Sequence, residues 1–329
     1  MSASPNQWIP FEPVTFVPCS RFGRGSDQTP LPMSMLSFFG LGSRPAVAPP
    51  VTAAPPGRLP AVGLVAGRGE YPLAVCRAAR QAGVARLAVV ALQDETDPAI
   101  RELADSLSTV AVGQLRRTIN TFLDQGVRRV IFAGQIKPGR LFSGFKPDLL
   151  ALRLLWKLPE RNAHSLFGAV AGAFEAAGVQ VLPATTFLEE WLAGEGVLGR
   201  VRPSARQRAE MAFGMRLARD IGRLDIGQTV VVKRGTVLAV EGFEGTDKAI
   251  RRGGELGNGS VTVAKAAKPR HDMRFDVPCI GPRTVESLIA AGAHALAVQT
   301  GKTLFLNHDE TLAALDRARI TVMGFTVPE

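Results

Sequence analysis

The sequence predicts an α/β protein, in which an N-terminal Rossmann-like doubly wound parallel sheet is followed by a C-terminal mixed α/β domain with hairpins. Two observations support this prediction. In the first part of the chain, short strands that are apolar on both faces alternate with amphipathic helical segments, which is the pattern of a parallel sheet covered by helices. In the second part, turn signals at Arg234–Gly235 and Thr300–Gly301 separate apolar runs, which is typical of β-hairpins.

Length and composition divide the chain into four segments. Its 329 residues suit about two domains. Residues 1–58 are rich in proline, which removes hydrogen-bond donors and fixes φ, so we expect a disordered Pro-rich extension with no catalytic role. We place the Rossmann-like domain at residues 59–185, a linker region at 186–202 and a C-terminal catalytic domain at 203–329.

The first domain is predicted from five apolar strands and the helices between them. The strands are at residues 61–66, 87–92, 110–112, 130–133 and 179–182. Helical patterns cover residues 73–81, 115–123, 147–158 and 165–177, and a further helix begins at Asp97–Pro98. Ligands of such sheets bind beyond the carboxyl ends of the strands, so the loops that follow the strands are the candidate binding segments.

The second domain is predicted from a long amphipathic helix, two hairpins and several shorter elements. The long helix opens at Pro203–Ser204. A shorter helix opens at Gly245, with Thr246 as the expected N-cap and Asp247 in the first turn. The other expected elements are the strands around Arg234–Gly235, strands at 260–264 and 273–277, a helix at 281–292, and strands at 295–298 and 303–306.

Charge and cysteine content narrow the classes of partner. The net charge is +10, which fits an anionic lipid surface, a phosphorylated substrate or nucleic acid. Aromatic residues make up 6% and the lysines and arginines are scattered, so we expect no nucleic acid partner. The three cysteines have no zinc-binding spacing, which predicts reduced thiols in a cytoplasmic protein. No apolar run approaches the roughly 18 residues that a membrane helix needs.

The first candidate loop, residues 67–72, reads Gly-Arg-Gly-Glu-Tyr-Pro. It is a shortened form of the dinucleotide-binding fingerprint, with Pro72 in place of the third glycine. Glycines there let backbone amides approach a phosphate, although a tight strand-to-helix turn explains Gly67 equally well. For Gly69 and Glu70 we expect ligand contact. Taken alone, the loop is weak support for an NAD-dependent oxidoreductase.

The second candidate loop follows the fourth strand, at residues 134–138. Gly134 begins it, and Lys137 offers a point charge to a phosphate. A solvated surface lysine is the competing interpretation of Lys137.

Two acidic clusters and a group of cations lie within residues 230–284. The clusters are Glu241–Glu244–Asp247 and Asp272–Asp276, and the cations between them are Arg251, Arg252, Lys265 and Lys268. Carboxylates beside cations at strand and helix ends suit a phosphate and a divalent metal ion. Helix capping explains Thr246 and Asp247 completely. In the functional alternative, the same helix start holds a phosphate and Asp247 binds the metal.

Asp276 stands out because it occupies an expected strand position between Phe275 and Val277. Burial of a carboxylate is costly unless the group is paired or metal-bound. A salt bridge to Arg274, two residues earlier, satisfies that requirement. The residues themselves support equally well a role for Asp276 as general base or metal ligand.

Several segments, in unbroken order over residues 60–327, resemble the LpxI-type UDP-2,3-diacylglucosamine pyrophosphatases. In the second domain they read LDIGQ (224–228), VEGFEGTD (240–247), AKP (267–269) and DMRFDVPCIGPRTVE (272–286). In the first domain they read AGRGEYP (66–72), VGQL (112–115) and AGQIKP (133–138). Several ordered motifs are more specific than a single glycine loop.

The resemblance implies a hydrolase of lipid A synthesis, which cleaves UDP-2,3-diacylglucosamine into UMP and 2,3-diacylglucosamine 1-phosphate. It also implies a divalent cation, usually Mg²⁺, and a substrate held between the two domains. The family's essential aspartate corresponds to Asp276, which we assign as catalytic residue and, with Asp247, as metal ligand. The expected substrate-binding residues are Gly67, Gly69, Glu70, Gly134, Lys137, Gln228, Thr246, Lys265 and Arg274. We expect a cytoplasmic protein that is peripheral to the inner membrane and meets its inner-leaflet surface.

Three positions depart from the family pattern. Arg270–His271 replaces a Gly-Gln pair, residues 161–165 replace a Gly-Asp-Asp run, and Gln299 stands where an acidic residue is frequent. A diverged family member that acts on a different sugar or nucleotide substrate is therefore an alternative. So is a non-catalytic nucleotide-sugar or lipid-binding protein.

Overall fold

The computed structural model describes residues 61–136, 146–158, 163–269 and 272–327. All of them belong to one compact unit, residues 55–329. The expected Pro-rich extension at residues 1–58 lies outside the described residues, as does Lys137. No helix in the described ranges is long and apolar enough to cross a lipid bilayer.

Five parallel strands form the first sheet: β1 Val62–Ala66, β2 Leu87–Leu92, β3 Ser106–Val110, β4 Arg129–Ala133 and β5 Gln180–Val181. Their order in the sheet is β3-β2-β1-β4-β5. The third strand was expected at residues 110–112, and this position is wrong, because β3 ends at Val110. β3 lies at the edge of the sheet and is only partly buried, so its sequence Ser-Leu-Ser-Thr-Val lacks the apolar pattern of a covered strand.

Helices cover both faces of this sheet. They are α1 Tyr71–Gln81, α2 Leu115–Asp124, α3 Leu149–Lys157 and α4 Ala163–Ala176, with a 3₁₀ helix at Pro98–Glu102. One buried cluster joins α1 to Leu64 and Leu87, and another joins α2 and α4 to Val65 and Ala88. Because successive residues of β1 enter opposite clusters, the sheet is buried on both sides. The predicted doubly wound arrangement is confirmed.

A six-stranded mixed sheet and a two-stranded sheet form the second part. The strands are β6 Gly196–Val197, β7 Thr229–Lys233, β8 Thr236–Val240, β9 Val261–Lys265, β10 Cys279–Ile280, β11 Ala293–Gln299, β12 Leu304–Phe305 and β13 Thr321–Phe325. The large sheet has the order β6-β13-β11-β9-β7-β8, with β13, β11 and β9 parallel to one another. The helices are α5 Ala205–Arg223, α6 Thr246–Gly257, α7 Pro282–Ala290 and α8 His308–Arg317, with a 3₁₀ helix at Glu189–Trp191 before them. Buried clusters place α5 on one face of the sheet and the other three helices on the opposite face.

Of the two predicted hairpins, the first is confirmed and the second is wrong. β7 and β8 pair antiparallel around Arg234–Gly235, whose φ angles are 49° and 78°. The strand after Thr300–Gly301, β12, does not return along β11. It pairs in parallel with β10. The positions on both sides of β11 are taken by β9 and β13, so a returning strand has no free edge to join.

Candidate functional site

The loops after β1 and β4 meet where the strand order of the first sheet reverses. β2 and β4 lie on opposite sides of β1, and such reversals create the crevice in which doubly wound sheets bind ligands. The amide of Gly67 donates to the carbonyl of Ala133 at 2.8 Å. Arg68 and Gln135 exchange two backbone hydrogen bonds, of 2.8 and 3.0 Å. The structure therefore brings the two candidate phosphate loops together.

Close contact between these loops explains Gly67 and Gly134. A Cβ on Gly67 would lie 2.8 Å from the carbonyl oxygen of Gln135. Gly134 has φ of 95°, and a Cβ there would lie 2.8 Å from the carbonyl oxygen of Arg68. Both glycines are required by the crossing of two backbones, whatever ligand the loops bind.

Gly69 and Glu70 lie in a different environment. Gly69 has φ of 97°, and a Cβ there would meet no atom within 4 Å. Glu70 is exposed and stands at the N-cap position of α1 without a side-chain capping hydrogen bond. The start of α1 thus presents an open backbone surface at the carboxyl edge of the sheet.

A turn at residues 272–276 lies against this part of the first sheet. The amide of Ala184, just after β5, donates to the carbonyl of Met273 at 2.8 Å. The hydroxyl of Tyr71, the first residue of α1, donates to the carbonyl of Ala184 at 2.6 Å. Burial is the main reason why the pKa of Tyr71 is raised, so its hydroxyl stays a donor.

Phe275 anchors the same turn by aromatic contacts. Its ring centroid lies 5.4 Å from that of Phe132 in β4, in an edge arrangement, and 5.5 Å from that of Phe167 in α4, with the rings stacked. Aromatic pairs in these geometries contribute roughly 1 kcal/mol beyond the area that they bury. Residues from the second part of the sequence are therefore fixed on the first sheet.

The structure corrects two expectations for Asp276. Residues 273–275 form a turn and not a strand, and the amides of Phe275 and Asp276 donate to the carbonyl of Asp272 at 3.0 and 3.1 Å. Asp276 is exposed, so the cost of burying its carboxylate does not arise. The apolar neighbours Phe275 and Val277 pack on the first sheet, whereas Asp276 is turned towards solvent.

Arg274 forms ion pairs with Asp272 and Glu175. The expected salt bridge from Arg274 to Asp276 is therefore wrong. The guanidinium contacts Asp272 at 2.8 to 3.1 Å and Glu175 of α4 at 2.8 Å. Hydrogen bonds that the Arg274 guanidinium donates to Asp272 are the main reason why the pKa of Arg274 is raised. This network orients the turn, and the expected role of Arg274 in substrate binding stays a prediction.

Lys265 is a nearly buried cation at the carboxyl end of β9. The residue is only 5% exposed. The ammonium donates to the carbonyl of Cys279 at 3.1 Å and to the hydroxyl of Thr246 at 3.3 Å. The carbonyl of Gln228 accepts from the amide of Ala266, the next residue. The predicted site residues Gln228, Thr246 and Lys265 are therefore neighbours.

Glu241 belongs to the same cluster, although we did not assign it to the site. It follows β8, is buried, and accepts from the hydroxyl of Thr246 at 2.9 Å. Its second carboxylate oxygen is buried with no hydrogen-bond partner in the described residues, and the same holds for the side-chain oxygen of Gln228. Buried acceptors without partners are rare and mark a place where a donor or cation binds. The position of Glu241 directly after a strand is the sequence signal that could have assigned it to the site.

Thr246 is not the N-cap of α6. That position is held by Gly245, with φ of 84°, and no side chain caps the helix. The Thr246 hydroxyl is used instead within the polar cluster. Asp247 is in the first turn, where its carboxylate lies 3.4 Å from the hydroxyl of Thr284 and 3.5 Å from the guanidinium of Arg283.

Cys279 connects the turn, the polar cluster and the first sheet. Burial raises the pKa of its thiol to about 12; the charge of Lys265 acts against this rise and that of Asp276 adds to it. The same thiol is within electrostatic reach of Tyr71. Since the thiol is neutral at physiological pH, it is no nucleophile. Because the backbone carbonyl of Cys279 accepts from Lys265, this residue links the segment after Asp276 to the polar cluster.

In the described residues, the carboxylates do not form a complete set of protein ligands for a metal ion. Across the described residues, no group of three or more His, Cys, Asp or Glu side chains could hold a metal ion. Mg²⁺ commonly binds one or two carboxylates and takes its remaining oxygens from water and substrate phosphates. Asp247 and Asp276, together with the unpartnered oxygen of Glu241, are donors of the type that this ion prefers.

One departure from the family pattern has a local explanation. The side-chain oxygen of Gln299, at the end of β11, accepts from the amide of Ala267 at 2.9 Å. A carboxylate at this position could accept the same hydrogen bond. The side chain of Gln299 therefore holds the backbone beside Lys265 as an acidic residue would. Arg270–His271, as well as residues 161 and 162, lie outside the described residues.

These features define a two-part α/β protein whose polar site is built at the carboxyl edges of two sheets. Residues 61–191 match the family model of the LpxI N-terminal domain, and residues 194–323 match that of the LpxI C-terminal domain. A relative from Caulobacter vibrioides, named UDP-2,3-diacylglucosamine pyrophosphatase LpxI, is 32% identical over 275 residues, which cover 80% of this chain and 96% of the relative. The chain belongs to the LpxI family.

Solved structures offer weaker likenesses. A biotin carboxylase domain of a thermophilic 2-oxoglutarate carboxylase, bound to ADP, has a TM-score of 0.23 and 15% identity, over 53% of this chain and 35% of its own. The corresponding domain from Hydrogenobacter thermophilus has a TM-score of 0.23 and 17% identity, again over 53% and 35%. Both values are too low to inform fold or function.

Proposed function

We propose that the protein hydrolyses the pyrophosphate bond of UDP-2,3-diacylglucosamine, releasing UMP and 2,3-diacylglucosamine 1-phosphate in lipid A biosynthesis. The observation that carries the proposal is the match, over nearly the whole relative, to a protein of the LpxI family that is named for this pyrophosphatase activity. The order of both domain matches along the chain supports it.

The polar cluster is suited to a diphosphate. Lys265 is buried and its ammonium is held by two hydrogen bonds, so it offers positive charge without reorganisation. The start of α6, which no side chain caps, lies beside it and adds the favourable end of a helix dipole. In this proposal, Lys265, Thr246 and the α6 amides bind the diphosphate oxygens and offset the charge that develops as the bond to the leaving phosphate breaks.

Asp276 is the proposed catalytic carboxylate. It is exposed, and its turn is fixed by Phe275 and Arg274, so it can meet water or a cation without repacking the core. Three residues further along the chain, the carbonyl of Cys279 accepts from Lys265, which supports a position for the Asp276 carboxylate near the buried cation. Both roles considered for Asp276, general base and metal ligand, are compatible with this position.

We include Mg²⁺, or another divalent cation, in the proposal. Asp276 and Asp247 are the proposed ligands, and diphosphate oxygens and water complete the coordination. Such an ion neutralises phosphate charge and lowers the pKa of a bound water. The unpartnered oxygen of Glu241 is available as a further acceptor at the same edge.

The loops around Gly67 and Gly134 complete the proposed substrate site. They lie at the strand-order reversal of the first sheet, and the Asp276 turn packs beside them. The nucleotide or sugar then lies between the start of α1, where Gly69 and Glu70 are exposed, and the polar cluster. We further propose that the protein acts on the cytoplasmic side of the inner membrane, as a peripheral protein, because a diacylated substrate resides there and a net charge of +10 favours an anionic leaflet.

Incubation of the purified protein with detergent-dispersed UDP-2,3-diacylglucosamine and Mg²⁺ tests the proposal. We expect release of UMP, and its loss on chelation of the cation. Asp276→Ala should lower the rate at least about 1,000-fold, as for removal of a central catalytic group. Asp220→Ala is the matched control, because this exposed carboxylate lies on α5 and makes a single surface ion pair. Tight binding of the substrate without UMP release would contradict the hydrolase and favour a non-catalytic binding protein.

A further inference from the structure

Helix α3 exposes an apolar stripe where a covering helix normally shows polar residues. Leu149 is 71% exposed, Leu152 is 42% exposed and Trp156 is 88% exposed. At about 100° of rotation per residue, these three side chains fall within roughly 60° of the helix circumference. The opposite side of α3 carries the buried Ala151, so the helix has an apolar inner face and an apolar outer face that is exposed among the described residues.

Cations border this stripe on one side. Arg153 and Lys157 are exposed and lie within roughly 100° of Leu149 on the helix wheel. Lys146, also exposed, precedes the helix, and α3 itself contains no acidic residue. Asp148, at the N-cap, has its carboxylate engaged by the amides of Arg116 and Ala151 at 2.6 and 2.9 Å. Among the described residues of α3 and the segment before it, the exposed charged side chains are therefore cations.

The start of α3 lies at the same edge of the first sheet as the candidate site. The amide of Lys146 donates to the carbonyl of Val112, and that of Asp148 donates to Gly113, both at 3.1 Å. Val112 and Gly113 follow β3, so they mark the carboxyl edge of the sheet. Loops after β1 and β4, which carry Gly67 and Gly134, lie at that edge as well.

We propose that the outer face of α3 docks on an anionic lipid surface. An apolar face that includes a tryptophan and is bordered by arginine and lysine is the composition of a helix that lies in a membrane interface. The apolar side chains enter the acyl boundary, while Lys146, Arg153 and Lys157 meet the anionic headgroups. The inference rests on the proposed function in one respect: a diacylated substrate lies in a membrane, so a membrane is the expected anionic surface. Beyond the proposed function, it identifies α3 as the segment that contacts this membrane.

Flotation of the full chain with vesicles tests this docking without any substrate. We expect binding to vesicles of phosphatidylglycerol in phosphatidylcholine, and much weaker binding to phosphatidylcholine alone. The triple variant Leu149→Gln/Leu152→Gln/Trp156→Gln should float poorly. The double variant Arg153→Glu/Lys157→Glu should lower the partition coefficient at least about tenfold, since each cation near an anionic surface contributes about fivefold.

A matched control is Leu256→Gln/Ile289→Gln, which removes apolar side chains that are similarly exposed, 64% and 53%, near the carboxyl ends of α6 and α7. It should bind the vesicles as the parent protein does. If the α3 variants float as well as the parent, or the parent does not bind anionic vesicles, the proposal is overturned. It is also overturned if the triple variant changes the oligomeric state in light scattering, because the stripe would then cover a second copy.

Activity measurements separate this inference from the proposed function. UMP release from detergent-dispersed substrate should be the same for the triple variant and the parent, whereas release from substrate embedded in anionic vesicles should fall at least about tenfold for the variant. Absence of UMP release from the parent in detergent would contradict the proposed function and leave the vesicle result to stand alone. Equal loss in detergent and in vesicles would overturn the docking proposal, because α3 would then act at the substrate site.

Discussion

The ammonium of Lys265 is fixed by three parts of the chain at once. β9 supplies the lysine, α6 supplies the hydroxyl of Thr246, and the segment after the Asp276 turn supplies the carbonyl of Cys279. A buried cation in such a position is costly to desolvate and is retained where a negative charge must be bound. Lys265 and Asp276 were both assigned to the site from the sequence, whereas Glu241 was noted only as a member of an acidic cluster, because its contact with Thr246 depends on the packing of α6 against β8.

Substitution of Lys265 tests this assignment. Lys265→Met removes the positive charge and keeps the aliphatic stem, so we expect kcat/KM for UDP-2,3-diacylglucosamine to fall at least about 100-fold. Lys233→Met is the matched control, because Lys233 ends β7 in the same sheet and donates to the carbonyls of Gly257 and Gly259. Both variants should fold, as checked by circular dichroism. Equal activities for the two variants would remove Lys265 from the site.

At the scale of elements, the sequence predicted those that are determined locally. The turn at Arg234–Gly235 demands two left-handed residues, and glycine is suited to one of them, so the first hairpin was predictable. The partner of β12 was not, because it depends on which strands already occupy the sides of β11. The turn around Asp276 was read as a strand because Phe275 and Val277 are apolar, whereas the contacts that bury them come from the distant first sheet.

The contact between the β1 and β4 loops gives a prediction at this scale. Gly134→Ala should lower the free energy of unfolding by roughly 2 kcal/mol or more, because it adds a Cβ 2.8 Å from the Arg68 carbonyl oxygen to a strained φ. Gly83→Ala is the control: it has φ of 76° but open space, and should cost about 1 kcal/mol. Urea unfolding measures both. Equal costs would mean that the loops adjust freely to one another.

For the molecule as a whole, the Asp276 turn joins the two parts of the fold. Ala184, Phe132 and Phe167 contact it from the first part, and the hydroxyl of Tyr71 donates to the carbonyl of Ala184. Alternation of strands and helices predicted the first sheet well, and family motifs predicted that both parts contribute to the site. Neither could show how the parts contact each other, since those contacts pair residues that are far apart in sequence.

Removal of the Phe275 ring should therefore affect stability and activity together. We expect Phe275→Ala to lower the free energy of unfolding by roughly 2 kcal/mol and to raise the KM, because the turn that carries Asp276 loses its aromatic anchor. Phe243→Ala is the control for stability: this ring is 91% exposed, so its loss should change the unfolding free energy by less than about 0.5 kcal/mol. Unfolding curves that shift equally for both variants would refute the anchoring role.

The position of β13 has a consequence for the order in which the chain can fold during synthesis. All five strands of the first sheet are complete once residue 181 has left the ribosome. The large second sheet is different, because β13 lies between β6 and β11 and pairs with Val197 and Gly196 only after Met323 and Gly324 have emerged. Until then, β6 and one edge of β11 have no partner strand within this sheet. The second sheet is therefore completed only after β13 has emerged, whereas the first sheet can form much earlier.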